Sequence, residues 1–403
     1  MARLILLILL GAGLLAPGAA AAADRERTRA GLARQMASAG AGSSALVVDL
    51  DSGEELYARR PDVRRTPASV EKLYTTSAAL LRLGGAERLS TQVLAAAPVG
   101  PDGTLAGDLY LKGAGDPALG AAGLTALART LVGQAGLRAL SGRVRGDETA
   151  FDRRRGPPSS GFTTSVYVGP LSALSYNRGQ TGVRSPFFQV SPGLFAAQAF
   201  ERALRREGVE VGARARTGRA PAGVLPLAAA ASPTVAELVA RTNRPSDNFY
   251  AETLIKLLGA RFGAGGTTVA GARVVRSEMT QLGIAPHVVD GSGLSRANAT
   301  SPREVVGLLR AMAADPLNGP SLLDSLPVAG RSGTLTGRMR GTAAAGNCRA
   351  KTGTLTSVSG LAGYCTGADG TRFAFALLMN RVSTFGARRL QDRMAVALAR
   401  YAD

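Results

Sequence analysis

At 403 residues the chain is long enough for two or three domains of about 100–200 residues each, and 45% apolar and 19% charged residues with 51 Gly and 20 Pro are the composition of a folded body. A formal charge of +19 would suit nucleic acid, yet aromatics are 5%, tryptophan is absent and the longest basic run is Arg153-Arg154-Arg155, so the charge reads as a solvated surface drawn to anionic wall or membrane polymers, with no nucleic acid as partner. A lone histidine, His287, with no Gly-x-Ser-x-Gly elbow, leaves no Ser-His-Asp triad, and one histidine with two cysteines cannot furnish a zinc site, so no metal is expected.

The first residues read as a secretory signal over 1–23. Arg3 precedes an apolar run at 4–16, and Ala21-Ala22-Ala23 forms a cleavage site before Asp24. The run is short of the roughly 20 residues a spanning helix needs, and no later stretch is apolar enough, so the mature chain is expected to be exported without a transmembrane segment. A helical pattern at 26–39 is followed by a hairpin, 45–50 and 54–58, around Asp51-Ser52-Gly53. Thr66-Pro67-Ala68-Ser69 opens the next helix, with Ser69 in its first turn. From 91 to 217 short strands and Gly-rich turns dominate, with a helix at 195–206. Helical patterns return at 234–242, 248–258, 269–282 and 302–314. Strands are expected at 348–355, 359–366 and 372–378, then a closing helix from about 386 with Leu390, Met394 and Leu398 as its packing stripe. Strands near both ends and a helical block before the last three indicate an α+β fold: an antiparallel sheet and helical domain built from 24–90 and 218–403, interrupted by a largely β inserted part at 91–217. Cys348 and Cys365 stand symmetrically about a turn at Thr356-Ser357. They face each other across the last hairpin, either bridged or as two buried thiols.

The basic residues divide unevenly, four Lys (Lys72, Lys112, Lys256, Lys351) among 48. Arginine keeps its proton, whereas a buried lysine can surrender it and act as a base. Two of the four fall in short motifs: Ser69-Val70-Glu71-Lys72 and Lys351-Thr352-Gly353, with Ser246-Asp247-Asn248 between them. On a helix, residues i and i+3 share a face, so Lys72 can reach Ser69 Oγ and take its proton. Ser246 can relay a proton to the leaving amine, and Asn248 can position Lys72 or a substrate carbonyl. Lys351 offers positive charge to a carboxylate, with Thr352 and Thr354 as hydroxyl donors. Gly353 is expected to leave room for a substrate lying along the strand. The backbone N–H groups of Ser69 and Thr354 are the expected oxyanion hole. Asp116 in Gly115-Asp116-Pro117 reads as a turn former, and Asp290 before Gly291-Ser292-Gly293 as a turn or rim residue.

With these three motifs stand Pro67-Ala68-Ser69, Gly107-Asp108-Leu109-Tyr110-Leu111, Leu174-Ser175-Tyr176-Asn177, Ala251-Glu252, Asp290-Gly291-Ser292-Gly293-Leu294-Ser295-Arg296 and Arg331-Ser332-Gly333-Thr334-Leu335. On these residues the chain resembles the class C low-molecular-mass penicillin-binding proteins, the penicillin-binding protein 4 type of D-alanyl-D-alanine carboxypeptidase and DD-endopeptidase. The resemblance implies the penicillin-recognising fold with an inserted domain. It also implies hydrolysis of peptidoglycan stem peptides or cross-links through an acyl-enzyme on Ser69, with no cofactor and with β-lactams as covalent inhibitors. The alternatives are a β-lactamase, for which no glutamate between the second and third motifs stands in a Glu-x-x-Leu-Asn run, and a peptidoglycan-binding protein without turnover.

Overall fold

The structure, a computed structural model, describes residues 17–182 and 185–402, so the apolar run of the expected signal lies outside the described residues. Helix α1 (Pro17–Ser38) leads into the hairpin of β1 (Ser43–Asp49) and β2 (Glu55–Arg59), and a 3-10 turn at Ala68–Glu71 runs into α2 (Lys72–Leu83). The middle of the chain carries β3 (Arg88–Ala95), β4 (Thr104–Leu105), β5 (Leu109–Lys112), α3 (Ala121–Gly133), β6 (Ala139–Leu140), β7 (Val144–Asp147), α4 (Pro192–Arg206), β8 (Glu210–Val211), β9 (Arg216–Thr217) and β10 (Leu225–Thr234). The helical block is α5 (Val235–Asn243), α6 (Asn248–Phe262), α7 (Thr268–Gln281), α8 (Pro302–Ala314) and α9 (Gly319–Ser325). The chain closes with β11 (Cys348–Leu355), β12 (Val358–Thr366), β13 (Arg372–Asn380) and α10 (Thr384–Ala399).

The main sheet has the order β11-β12-β13-β1-β2, all antiparallel, so the first and last strands of the chain meet where β1 pairs with β13. Its strands are apolar on both faces because both faces are covered, and the period of two sorts the side chains. Along β13, Ala374, Ala376 and Leu378 pack with Leu46 and Val48 against the helical block. Phe373, Phe375, Leu377 and Met379 face the opposite way and pack with Leu32 and Met36 of α1 and Met394 and Leu398 of α10. The last hairpin has the expected register, Cys348 opposite Cys365, and the two form a disulfide.

The interruption carries its strands together with two helices, α3 and α4. Its sheet has the order β10-β3-β5-β7-β9, with β5, β7 and β9 mutually parallel, and β4, β6 and β8 form a second, parallel sheet. Parallel neighbours need crossover connections, and α3 and α4 supply them, burying Leu124, Leu127, Leu131, Phe200 and Leu204 against the strands. Helix α3 was not expected from the sequence, although its buried Leu124, Leu127, Ala128 and Leu131 fall at helical spacing, because the Gly-rich turns around it set the reading of this stretch. Strand β10 returns to pair with β3, so the strands of this unit span Arg88 to Thr234, wider than 91–217 at both ends. A fourth cluster joins the two parts: Phe151, Val168 and Leu171 pack on Phe249, Leu254 and Leu257 of α6. Below it, fully buried Lys256 of α6 bonds Asp152 at 2.6 Å and the Arg154 carbonyl at 2.7 Å. Among the described residues no helix is long and apolar enough to cross a membrane.

Candidate active site

The three motifs, distant in sequence, converge at one end of the main sheet. Ser69 lies in the 3-10 turn ahead of α2 and not in the helix itself, after Ala68, whose φ is +49°. The tighter turn lifts Ser69 out of the packed helix while Val70, Lys72 and Leu73 stay buried. Asp247 caps α6 by accepting from the Tyr250 amide at 3.0 Å, which puts Asn248 at the first helical position. Ser246, one residue earlier, is held at φ +62°, a left-handed conformation unusual for a residue with a side chain.

Lys72 Nζ is completely buried and lies 2.9 Å from Ser69 Oγ, 2.8 Å from Asn248 Oδ1 and 2.6 Å from the Ser292 carbonyl oxygen. Two of these three partners are carbonyls that can only accept, and the third is a hydroxyl that can also donate. A neutral amine has two N–H donors and one lone pair, so the set aims that lone pair at the Ser69 proton. Burial lowers Lys72 to about 8, against the opposing fields of Asp290, Glu252, Asp247 and Glu71. Lys351 is equally buried and donates to Ser246 Oγ at 2.8 Å and to the Thr352 carbonyl at 2.8 Å. Burial first, and the charge of Lys72 second, push its amine well below the usual lysine range.

Strand β11 is the outer edge of the main sheet. Its upstream half is covered, since the Ala350 amide donates to Pro327 at 2.9 Å and the Ala329 amide to Cys348 at 2.9 Å. By strand alternation the Thr352 and Thr354 amides point to the same outer side as that of Ala350. Thr352 Oγ1 donates to Thr334 Oγ1 at 2.8 Å, and Arg388 donates to Thr354 Oγ1 at 3.1 Å. An open groove of about 680 Å³ is lined by Ser69, Ser246, Thr352, Thr354, Thr334 and Arg338 among others. Gly353 faces away from this groove. A Cβ there would stand 2.5 Å from the Pro67 carbonyl and 3.2 Å from the Ser69 amide. The glycine therefore makes room for the turn that carries Ser69, where the expectation was room for substrate.

The interrupting segment reaches the site as well. Arg178 pairs with Asp247, and Asn248 Nδ2 donates to the Tyr167 carbonyl at 3.3 Å. Asp290 is not at the rim but wholly buried, accepting from the Gly293 amide at 2.8 Å, the Ser295 amide at 2.7 Å and Asn298 Nδ2 at 2.7 Å. The Ser292 carbonyl that this loop presents to Lys72 was missed from sequence, because every residue type carries one. Asp116 is the expected turn former, accepting from the Ala118 amide at 2.8 Å. His287 is exposed and paired through its backbone with Ala299.

The model of the D-Ala-D-Ala carboxypeptidase 3 (S13) family matches residues 30–186 and 185–401. The D-alanyl-D-alanine carboxypeptidase of Actinomadura sp. strain R39 is 33% identical over 90% of this chain and 82% of its own. Carboxypeptidase DacB of Mycolicibacterium smegmatis is 31% identical over 92% and 84%. Among solved structures, penicillin binding protein 4 of Haemophilus influenzae superposes with a TM-score of 0.78 at 21% identity, covering 92% of this chain and 99% of that one, which shows a shared fold. With an amine aimed at a serine inside that fold and a family match over nearly its whole length, the chain belongs to the D-Ala-D-Ala carboxypeptidase 3 (S13) family of serine-type DD-peptidases.

Proposed function

We propose that Ser69 is the nucleophile and Lys72 the general base of a D-alanyl-D-alanine carboxypeptidase and DD-endopeptidase acting on peptidoglycan stem peptides and their cross-links. The observation that carries this reading is the 2.9 Å approach of Lys72 Nζ to Ser69 Oγ with its other two partners both carbonyl acceptors. Lys72 takes the hydroxyl proton as Oγ bonds the scissile carbonyl carbon, and the oxyanion faces the amides of Ser69 and Thr354. As the C–N bond breaks, the Ser246 hydroxyl passes a proton to the leaving amine and is resupplied from the Lys72 side. Water then releases the acyl group by the reverse transfers. Among the described residues the bonding partners of Lys351 are the Ser246 hydroxyl and the Thr352 carbonyl, not a carboxylate, and a substrate carboxylate docking at Thr352 would hold it as the ammonium form. Asn248 fixes Lys72, and Gly353 lets the turn of Ser69 close on β11.

β-Lactams, whose acyl-amide mimics the dipeptide, acylate the same oxygen. Export through the signal at 1–23 and retention at anionic wall polymers by the basic surface belong to this reading. So does the division into a penicillin-recognising body and an inserted unit, which the pairing of β10 with β3 supports. The test is intact-mass spectrometry with and without benzylpenicillin, beside Ser69→Ala. A stoichiometric, slowly lost adduct on the unaltered chain alone is expected. Drug loss without a lasting adduct would favour a β-lactamase, and neither adduct nor turnover a binding protein.

A further inference from the structure

Beneath Lys72 three carboxyl groups lie out of solvent: Glu71 in the turn of the nucleophile, Glu252 on α6 and Asp290 in the loop before α8, each 0% exposed. Their partners differ. Neither oxygen of Glu71 has a hydrogen bond. Glu252 Oε1 accepts from the Ser292 amide at 2.9 Å while Oε2 has no partner. Asp290 uses both oxygens to tie down the loop just after Ser292, at the Gly293 and Ser295 amides, and the Ser292 carbonyl bonds Lys72 at 2.6 Å. The loop has nowhere to drift. A Cβ on Gly293 would come within 1.9 Å of the Ala68 carbonyl, and Thr75 Oγ1 of α2 donates to the Gly291 carbonyl at 3.1 Å.

A carboxylate stripped of water and of partners does not stay charged, so Glu71, pushed far up by burial and by Asp290, holds its proton. The other two differ because each accepts amide hydrogen bonds that favour the ionised form, yet each is raised, by burial first; for Glu252 the charge of Asp290 comes next, and Glu252 stands at about 8. Glu252 Oε1 and Asp290 Oδ1 accept from the consecutive amides of Ser292 and Gly293, at 2.9 and 2.8 Å, so the two carboxyls adjoin, and adjoining carboxyls out of water ionise one at a time. The charged groups facing Lys72 are then Asp247 from the cap of α6, Lys351 from β11, and the Glu252 and Asp290 pair from α6 and the loop, with Glu71 beside them.

We propose that Glu252 and Asp290 are positioning residues that share one proton: together they press the Ser292 carbonyl against Lys72 and keep a single negative charge under the amine, which stabilises the ammonium formed as Ser69 attacks. The inference rests on Lys72 being the base. Its signature is non-additivity. Replacing either residue by its amide leaves the other free to ionise alone, so the charge survives; replacing both removes it.

The test is the rate constant for acylation by benzylpenicillin against pH, followed by intact mass, in Glu252→Gln, Asp290→Asn and the double variant. In each single variant the rising limb of the profile is expected at the pH of the unaltered enzyme with a plateau lowered severalfold, since the carbonyl is less firmly held. In the double variant the amine loses its counter-charge, and the limb moves to lower pH by about one unit, a tenfold change in proton affinity. A limb displaced by a full unit in either single variant means two charges in the pair, and a limb unmoved in the double variant means none; either overturns the proposal. If the double variant does not fold, Glu252→Gln and Asp290→Asn decide by the first criterion. Absence of any adduct on the unaltered enzyme would instead overturn the assignment of Ser69 and Lys72.

Discussion

Replacing Gly353 by alanine tests whether β11 positions the turn of Ser69, the proposed nucleophile, as well as the proposed substrate. The added Cβ would sit 2.5 Å from the Pro67 carbonyl oxygen, 3.1 Å from the Val70 amide and 3.2 Å from the Ser69 amide, all backbone atoms that no rotamer change can move. The turn must retreat from the strand by about half an ångström, and overpacking of this kind costs about 1–3 kcal/mol. Misplacing reacting groups by about 1 Å costs about a hundredfold in rate, so half of that predicts roughly a tenfold loss in acylation. Gly360 on the neighbouring strand is the control. A Cβ there would meet the Val70 Cγ2 methyl at 2.9 Å, a side-chain atom that can yield, and the Pro67 carbonyl oxygen only at 3.2 Å, against 2.5 Å from Gly353. Acylation by benzylpenicillin and thermal unfolding should therefore both suffer in Gly353→Ala and far less in Gly360→Ala. Gly353→Ala with unaltered acylation and stability would refute the argument.

If Lys72 is the proposed base, acylation should rise with pH through about 8, because its free amine would be the active form and is lost as pH falls; a rate constant flat from about pH 6 to about pH 9 would count against Lys72 as base. Removing the disulfide by Cys348→Ala with Cys365→Ala frees a loop with a sequence separation of 17, which predicts a loss of about 3 kcal/mol in denaturant unfolding, matched by reducing agent on the unaltered chain. Asp116 is raised to about 6 by burial, so its folded form binds a proton that the unfolded form has released, and stability falls as pH rises through that value. Asp116→Asn, which keeps the acceptor for Ala118, should raise the unfolding free energy by about 3 kcal/mol near neutral pH and leave it unchanged at about pH 3.

What the sequence disclosed was whatever is local or periodic. Ser69 and Lys72 are one turn apart, and Cys348 and Cys365 are equidistant from a turn, so spacing alone places each pair. The alternating apolar faces of β13 require cover on both sides, and the closing helix carries the matching stripe. What stayed hidden depends on contacts between distant segments. The Ser292 carbonyl meets Lys72 across 220 positions and is a backbone atom. Glu252 and Asp290 look like ordinary acids until α6 and the loop fold under α2. Gly353 is read from sequence as room for substrate and Gly293 carries no separate reading, and only the packed structure shows that the turn bearing Ser69 comes close to both. The parallel pairs of the inserted unit were equally illegible, since β4, β6, β8 and β9 are two residues long and leave no period to count.

The scarcity of lysine has a physical reading that separates burial from chemistry. Lys72, Lys256 and Lys351 are fully buried, and Lys112 alone is exposed. An arginine at the three buried positions would bring a larger cation that cannot shed its proton, so burial by itself disfavours it. On the proposed mechanism only Lys72 must also lose its proton and regain it. Lys256 separates the two demands. Its amine bonds Asp152 and the Arg154 carbonyl and ties α6 to the inserted unit, yet it touches none of the reacting groups. Lys256→Met fills the space without the charge and strands Asp152, whose side chain is 25% exposed and can recover water. The few kcal/mol expected for breaking a buried pair therefore falls to about 2 kcal/mol. Thermal unfolding should come earlier while the folded fraction still acylates at the original rate, whereas Lys72→Met should fold and fail to acylate. Equal loss of acylation in folded Lys256→Met would mean that the junction between the two parts, and not the amine at Ser69 alone, governs the chemistry.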